Sequence, residues 1–443
     1  MTVAATAPVV SIVDFEASAM RKFRWRMIPL LAICYFIYRL DLLNVGFAGL
    51  TMNKELGLSA TAFGFGVGVF YWGFFLCQIP SNLALERWGA KFWLPIIMLL
   101  WSVLSGCMAL VSSERSFYIM RFILGAADAG FFPGIIFYLT YWAPSGYRGR
   151  MVSLFSIGGL LAPIIGGPLA GAILKLDGVA GISGWRWLFI SEAIPAVILA
   201  GVLASMIVNR PRDARWLSAD ERDVLQGSLD AERAKRDALQ KFTLGQAMRN
   251  PKVILLCLIY LGILGGISGT GFWLPLILQG FGLTNQQVGW VAAIPYAVAM
   301  IGLLTIAAHS DRTGERIWHV AIPILFACLG FVAAGFWIHN PYLAIVAVSV
   351  ALAGGQGAIA VFWSLPPAFL SGPMAAASVA LINAVGNLGG FFGPQIIGYL
   401  RDRTGNFSVA MLTMAIFPLM AAVIVILLGR DASLQQALKV DRD

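Results

Sequence analysis

Predominantly apolar runs of about 20 residues, the length needed to cross a bilayer as a helix, recur along this chain in two sets. The first set falls at 28–50, 60–83, 92–111, 118–141, 151–174 and 187–208, the second at 253–278, 287–308, 318–338, 342–366, 375–399 and 408–428. Between them lies the polar stretch 209–252, rich in Arg, Asp and Glu, whose pattern from Ala219 to Leu239 fits a surface helix. The pattern predicts an all-α integral membrane protein. Its parts are an N-terminal segment 1–27, a six-helix half 28–208, a linker 209–252, a second six-helix half 253–428 and a tail 429–443.

Lys and Arg are spread unevenly over the loops. Arg21 to Arg26, Arg87, Lys91, Arg148, Arg150, the linker, Arg312, Arg316, Arg430 and Lys439 fall on one side, whereas Lys54, Arg115, Lys175, Arg186, Arg401 and Arg403 fall on the other. The basic-rich side is expected to be cytoplasmic, which places both termini inside. The first apolar run follows Arg21, Lys22, Arg24 and Arg26 and lacks the order of a cleaved signal, so it is expected to be a retained span.

Composition narrows the class further. With 59% hydrophobic residues, 12% charged residues and a mean hydropathy of +0.80, the chain is excluded from the ordinary soluble domains. The net charge of +9 arises between apolar stretches, where it meets lipid headgroups, and implies no nucleic-acid partner. Cys34, Cys77, Cys107, Cys257 and Cys328 lie in apolar spans without CxxC spacing and are expected to pack rather than bind metal or form disulfides. His309, His319 and His339 lie near span ends, and no HExxH, P-loop or serine–base arrangement occurs, so an enzyme is not expected and no cofactor is implied.

A short motif repeats between the halves. After the second span the chain reads Glu86-Arg87-Trp88-Gly89-Ala90-Lys91, and after the eighth Asp311-Arg312-Thr313-Gly314-Glu315-Arg316, both of the form acid-Arg-x-Gly-x-base. Duplicated transporter halves place a substrate path at their interface and rock about it. Glu86, Arg87, Asp311 and Arg312 are therefore candidate conformational latches, against the plainer reading of a basic loop with a turn glycine.

Full charges stand inside the spans at Arg39 and Asp41 in the first and at Arg121 and Asp128 in the fourth. A charge at bilayer depth costs at least about 2.5–3.5 kcal/mol, so such residues face a watery path or one another. Seven residues separate Arg121 from Asp128, which puts them on nearly one helix stripe about 10 Å apart. Arg39 and Asp41 are about 200° apart around their helix and should not form a simple ion pair. Tyr38 and Asn44 are the same-face neighbours of Asp41 at i−3 and i+3.

Ordered strings through both halves carry a resemblance. They include Leu40-Asp41 with Asn44-Val45-Gly46-Phe47-Ala48, Gln78-Ile79-Pro80-Ser81-Asn82, Arg121-Phe122-Ile123-Leu124-Gly125, Ala129-Gly130-Phe131-Phe132-Pro133-Gly134 and Gly184-Trp185-Arg186-Trp187-Leu188-Phe189. Ala214-Arg215-Trp216-Leu217, the string from His309 to Arg316 and that from Ile382 to Phe391 complete the set. From about Ile28 to Ala421 the chain resembles the major facilitator superfamily, and within it the anion:cation symporter family, which includes permeases for tartrate, phthalate, 4-hydroxyphenylacetate and sugar acids. The resemblance implies twelve transmembrane helices in two halves and proton-coupled import of a small organic carboxylate. It implies a monomer working in membrane lipid, in a bacterial inner membrane. By the same resemblance, Arg121 holds the substrate carboxylate and Asp128, where relatives usually have Glu, takes up a coupling proton, with Asp41 beside it. The alternative for Arg121 and Asp128 is an internal ion pair joining helices.

The first span departs from the family. Relatives commonly have Asp-Arg at Asp41-Leu42 and Tyr at the position of Arg39, so the guanidinium is displaced by one turn. Arg39 is then a substrate ligand, or a structural residue bound to backbone or snorkelling. The second half offers Trp273, Tyr296, Gln356, Trp363, Ser364, Asn383 and Asn387 for a neutral part of a ligand, or for helix packing. Of these Trp363, Ser364, Asn383 and Asn387 lie in family-like segments. Phe74, where sugar-acid relatives have Tyr, leans towards an aromatic or less hydroxylated acid. Gly158, Gly159, Pro163, Gly166, Gly167 and Pro168 in the fifth span partly match an antiporter pattern, so organic-anion exchange is the first alternative to symport. A transporter-like sensor is the next.

Overall fold

In the computed structural model the described residues are 12–237, 244–366 and 373–430. Positions 1–11, the end of the expected linker helix at 238–239 and the tail from 431 lie outside them. Lipid offers no hydrogen-bond partner to a backbone, so each crossing segment must close its own N–H to C=O bonds, and the described chain is helical throughout its spans. The first half comprises α1 (Ile12–Glu55), α2 (Ala60–Trp88), α3 (Ala90–Cys107), α4 (Glu114–Asp128), α5 (Phe131–Thr140), α6 (Ser145–Ile173) and α7 (Gly184–Met206). The linker carries α8 (Ala219–Asp237) and α9 (Leu244–Arg249). The second half comprises α10 (Pro251–Gln279), α11 (Asn285–Thr313), α12 (Ile317–Phe336), α13 (Pro341–Phe362), α14 (Pro373–Asn387), α15 (Gly389–Thr404), α16 (Ser408–Met414) and α17 (Ile416–Leu428).

Among the described residues, eleven segments are individually long and apolar enough to cross a membrane. The twelfth crossing is the pair α14–α15, interrupted at Leu388. Helix ends follow local chemistry. Ser113 and Ser116 form a capping box on α4, Thr284 and Gln287 another on α11, and Gly314 closes α11 with a left-handed φ of 65°.

The first helix begins well before the apolar run expected at 28. Residues 12–27 continue it because Ala19, Phe23 and Met27, at i, i+4 and i+8, find a buried face outside the bilayer run. Phe23 stacks on Trp142 at 4.7 Å, and Trp142 on Trp216 at 5.4 Å. Lys22 and Ser18 both reach Glu221 of α8 at 2.8 Å, and Arg148 reaches Glu232 at 3.1 Å, which pins the linker helix beneath the first half.

Within the first half α1 packs on α6 and α7, α2 on α4, and α3 on α7; in the second, α13 packs on α11 and α12, and α10 on α14, α15 and α17. The halves meet along α1–α10, α2–α15 and α6–α11. Close approach needs small residues there. A side chain on Gly167 would strike the Gly289 carbonyl, and one on Gly289 would strike that of Gly167. Gln279 donates to the Leu50 carbonyl at 3.2 Å and Gln286 to that of Pro168 at 3.4 Å. Trp273 packs edge-on to Phe63 at 5.2 Å. These seams lie between the midplane and the end of the molecule that carries Glu55 and Asp402. At the opposite end, Glu86, Arg87, Asp311 and Arg312 are exposed.

Candidate functional site

The charged positions of α1 are set by neighbouring helices. Asp41 is 5% exposed and accepts a short hydrogen bond from the Ser105 hydroxyl of α3. Asn44, one turn on, uses its amide twice: Nδ2 donates to Asp41 Oδ1 at 3.2 Å and to Glu192 Oε2 of α7 at 2.8 Å. Glu192 is 4% exposed. One amide therefore bridges two buried carboxyl groups, and α1, α3 and α7 are tied by a single polar cluster. The i+3 neighbour of Asp41 takes its expected place; the i−3 neighbour does not, because the Tyr38 hydroxyl addresses Asp128 of α4 instead.

Arg121 is fully buried. Its Nε and Nη2 point at the carbonyls of Gly66 and Val67 on α2, both at 3.4 Å, and its guanidinium lies 4.7 Å from the centre of the Phe70 ring. The ring face attracts the cation, worth about 2 kcal/mol or more when desolvated. Nη1 has no hydrogen-bond partner, and among the described residues no carboxylate lies within ion-pair distance of Arg121. Asp128 is 4% exposed with Oδ1 unpartnered. Arg121 and Asp128 are thus near enough to feel each other's charge, together with Asp41, but do not form the direct pair weighed from sequence. A guanidinium buried with a free donor edge can hold a carboxylate, since five N–H groups in a planar fork match its two oxygens.

Arg39 is partly buried and forms no ion pair with Asp41. Its charge is felt by Tyr35, Tyr38 and Tyr71 of the first half and by Tyr260 and Tyr296 of the second, so it stands where the halves face each other. Phe74 is buried and stacks on Phe70 at 6.4 Å, which places it behind the ring that covers Arg121.

The second-half candidates divide by what their polar atoms already do. Trp363 packs edge-on to Tyr260 at 4.9 Å. The Ser364 hydroxyl donates to the Val361 carbonyl at 2.7 Å, and Asn387 Nδ2 to the Asn383 carbonyl at 2.8 Å, so both bond to their own backbone. Asn383 is partly buried one turn earlier on the same helix.

The repeated motif is arranged differently in its two copies. Asp311 pairs with Arg316 at 2.6 Å, and Arg316 also reaches the Ser310 hydroxyl at 3.0 Å. Arg312, Glu86 and Arg87 are exposed and make no ion pair among the described residues. In the first copy the chain is held instead by Asn209, which accepts the Lys91 N–H at 2.8 Å beside Gly89, whose φ is 81°.

A cavity between the halves is lined by Leu40, Asn44, Phe47, Pro163, Glu192 and Tyr296, among others. Glu192 is a further full charge, inside the sixth apolar run, and the rule for charges at bilayer depth applies to it as it does to the other four. The five cysteines are free, two of them buried.

Residues 31–394 match the sequence profile of the Major Facilitator Superfamily. A protein of Agrobacterium vitis named "Putative tartrate transporter" is 41% identical over 95% of this chain and 93% of its own. A "Quinolone resistance transporter" of Acinetobacter baumannii is 38% identical over 93% of this chain and 95% of its own. Among solved structures, a bacterial homologue of the human lysosomal transporter Spinster, in an inward-facing and unoccupied conformation, superposes with a TM-score of 0.77 at 16% identity, covering 94% of this chain and 98% of that one.

Proposed function

This chain belongs to the Major Facilitator Superfamily, a premise from which we propose that it imports a small organic carboxylate with protons by alternating access. The observation that carries the reading is Arg121: a buried guanidinium with a free Nη1 and no carboxylate partner, beside two buried aspartates. Leaving a buried charge unpaired costs about 3–5 kcal/mol, so the site gains most from an anion that arrives and leaves. The relative named for tartrate transport supports an organic acid as that anion.

Coupling follows from competition for one cation. When Asp41 and Asp128 carry protons, the positive field of Arg121 and Arg39 is free for a substrate carboxylate. Once the protons leave, two carboxylates compete for that field and the substrate anion is repelled. With the Glu86 and Asp311 end read as cytoplasmic from its basic-rich loops, the seams at the Glu55 and Asp402 end close the outer side. Both termini are then cytoplasmic, and the 209–252 linker lies on the inner face of a bacterial inner membrane. Glu86, Arg87, Asp311 and Arg312, exposed in this state, are the groups that close the inner side when the molecule turns outward.

Uptake into proteoliposomes with an acidic exterior tests the reading, using tartrate, phthalate, 4-hydroxyphenylacetate and a sugar acid as the panel. Accumulation of an acid that collapses with the pH gradient supports it; gradient-independent equilibration of every acid contradicts it. The relative named for quinolone resistance favours a second reading, export of an organic anion in exchange for protons. The same vesicles with the gradient reversed in sense separate the two.

A further inference from the structure

We propose that Glu192 is a third proton-carrying carboxyl, coupled to Asp41 through Asn44, and that it is the group through which the proton enters from the Glu55 and Asp402 end. This rests on the proton-coupled reading above and extends it to a residue that the transport mechanism has not used.

Three observations converge on it. The two carboxyl groups accept from the same amide nitrogen, at 3.2 Å and 2.8 Å, which places their oxygens about 5–6 Å apart. Both are buried, and Glu192 has no cation within ion-pair distance among the described residues. Two carboxylates that close in a dry site cannot both stay ionised, so the pair retains a proton and titrates as a unit. Finally, Glu192 borders the inter-half cavity, which runs up to Gly167, whose backbone meets Gly289 at the closed seam. Asp41 is absent from that lining. When the seam parts, Glu192 is the carboxyl of the pair that meets the outer water first.

The groups around Glu192 leave no other carrier. From α1 it faces Asp41 and Asn44; from α3, Ser105 reaches it only through Asp41; from α4, Arg121 acts on Asp41; from α11 the cavity presents Tyr296. The α6 and α10 walls are apolar, with Pro163 and Leu274. In the step itself water admitted as the seam parts carries the proton across the gap of about 5–6 Å: the O–H bond of Glu192 breaks, an O–H bond forms on an Asp41 carboxylate oxygen, and the single negative charge passes to Glu192. Asn44 keeps both its N–H bonds and holds the acids in place.

Infrared pH titration of the purified full-length protein without substrate tests the pairing. Glu192→Gln is the variant of choice because the glutamine carbonyl still accepts from Asn44, so a purely structural role would be preserved. The expected result is loss of about one protonated-carboxyl group's intensity at neutral pH, with no further loss in the Glu192→Gln, Asp41→Asn double variant. Glu192→Asp retains the band. In proteoliposomes, using whichever panel acid the parent accumulates, Glu192→Gln lowers gradient-driven accumulation about tenfold while counterflow stays within about twofold. An unchanged infrared band in Glu192→Gln overturns the proposal even where transport is impaired. Proton coupling as such is judged separately by Asp128→Asn: if that variant keeps its gradient-driven accumulation, it is the broader reading that fails.

Discussion

The Asp402 carboxylate at the end of α15 accepts the backbone N–H of Thr61 at 2.7 Å, and also that of Ala60 at 3.1 Å, so a side chain of one half caps a helix of the other. The first N–H groups of a helix lack intrahelical acceptors and attract an anion. Ser59 satisfies the next of them, Ala62, at 3.0 Å from within the same half. Of these two caps on α2, only that of Asp402 crosses between the halves and is broken when they separate at this end.

A cap of this kind contributes about 0.5–2 kcal/mol. Asp402→Ala should therefore move the balance towards the state open at that end by about 2- to 30-fold, with Ser59 still holding α2 helical. Spin labels on Gly57→Cys and Asn406→Cys, in loops of opposite halves, report it as a gain in the longer distance. An unchanged distance distribution would show that the cap does not contribute to closure.

Arg121→Lys is expected to insert normally and lose most uptake, by about tenfold or more. Lysine keeps the charge, but its point-like ammonium gives up the planar donor fork and the stacking on Phe70. Measured affinity and flux near those of the parent would remove Arg121 from the carboxylate site.

The linker offers a prediction in pH. Burial raises the Glu221 carboxyl, but hydrogen bonds from Lys22, the Ser218 backbone and Ser18 outweigh it and pull the group down to about 2. A carboxylate lowered in the folded state stabilises it fully above its ordinary range near 4.3 and loses that contribution as pH falls towards 2. Docking of α8 on α1 should thus survive acidification to about pH 4.5 and fail progressively below it. Glu221→Gln should weaken it by about 1.5–3 kcal/mol at neutral pH. Hydrogen exchange of residues 219–237 reads both; protection equal to the parent's in the variant would contradict the assignment.

The spans were legible because lipid makes the rule local: a helix that must bury its backbone in hydrocarbon announces itself in one run of about 20 residues. What depends on contacts between distant segments was not. The sixteen-residue extension of α1 is fixed by Trp142, Trp216 and Glu221, far away in sequence. Tyr38 looked like a partner of Asp41 by helix spacing, yet α4 brings Asp128 to its hydroxyl. Arg121 could be recognised as a charge at depth, but that its partners are two carbonyls and a ring needed the path of α2. Glu192 obeys the same rule as Asp41 in the sequence, but its meaning comes only from Asn44, 148 residues earlier.

Arg39 is the remaining charge whose role the structure makes testable. It stands between tyrosines of both halves without an ion pair among the described residues, while Leu42, where relatives have Arg, is 7% exposed and packed in the hydrophobic core. If the guanidinium has moved by one turn, Arg39→Leu should weaken carboxylate binding by about tenfold, the scale of one charge-assisted contact. The double change Arg39→Tyr, Leu42→Arg should recover part of that loss. Recovery is limited by two features: the positions differ by about 4.5 Å in height along the helix, and an arginine at 42 must displace apolar neighbours to reach the inter-half space. Binding and uptake, compared at equal membrane abundance, separate this from folding damage. Parent-like behaviour of Arg39→Leu, or a double variant no better than the single one, would make Arg39 a structural residue and leave Arg121 as the guanidinium that meets the substrate.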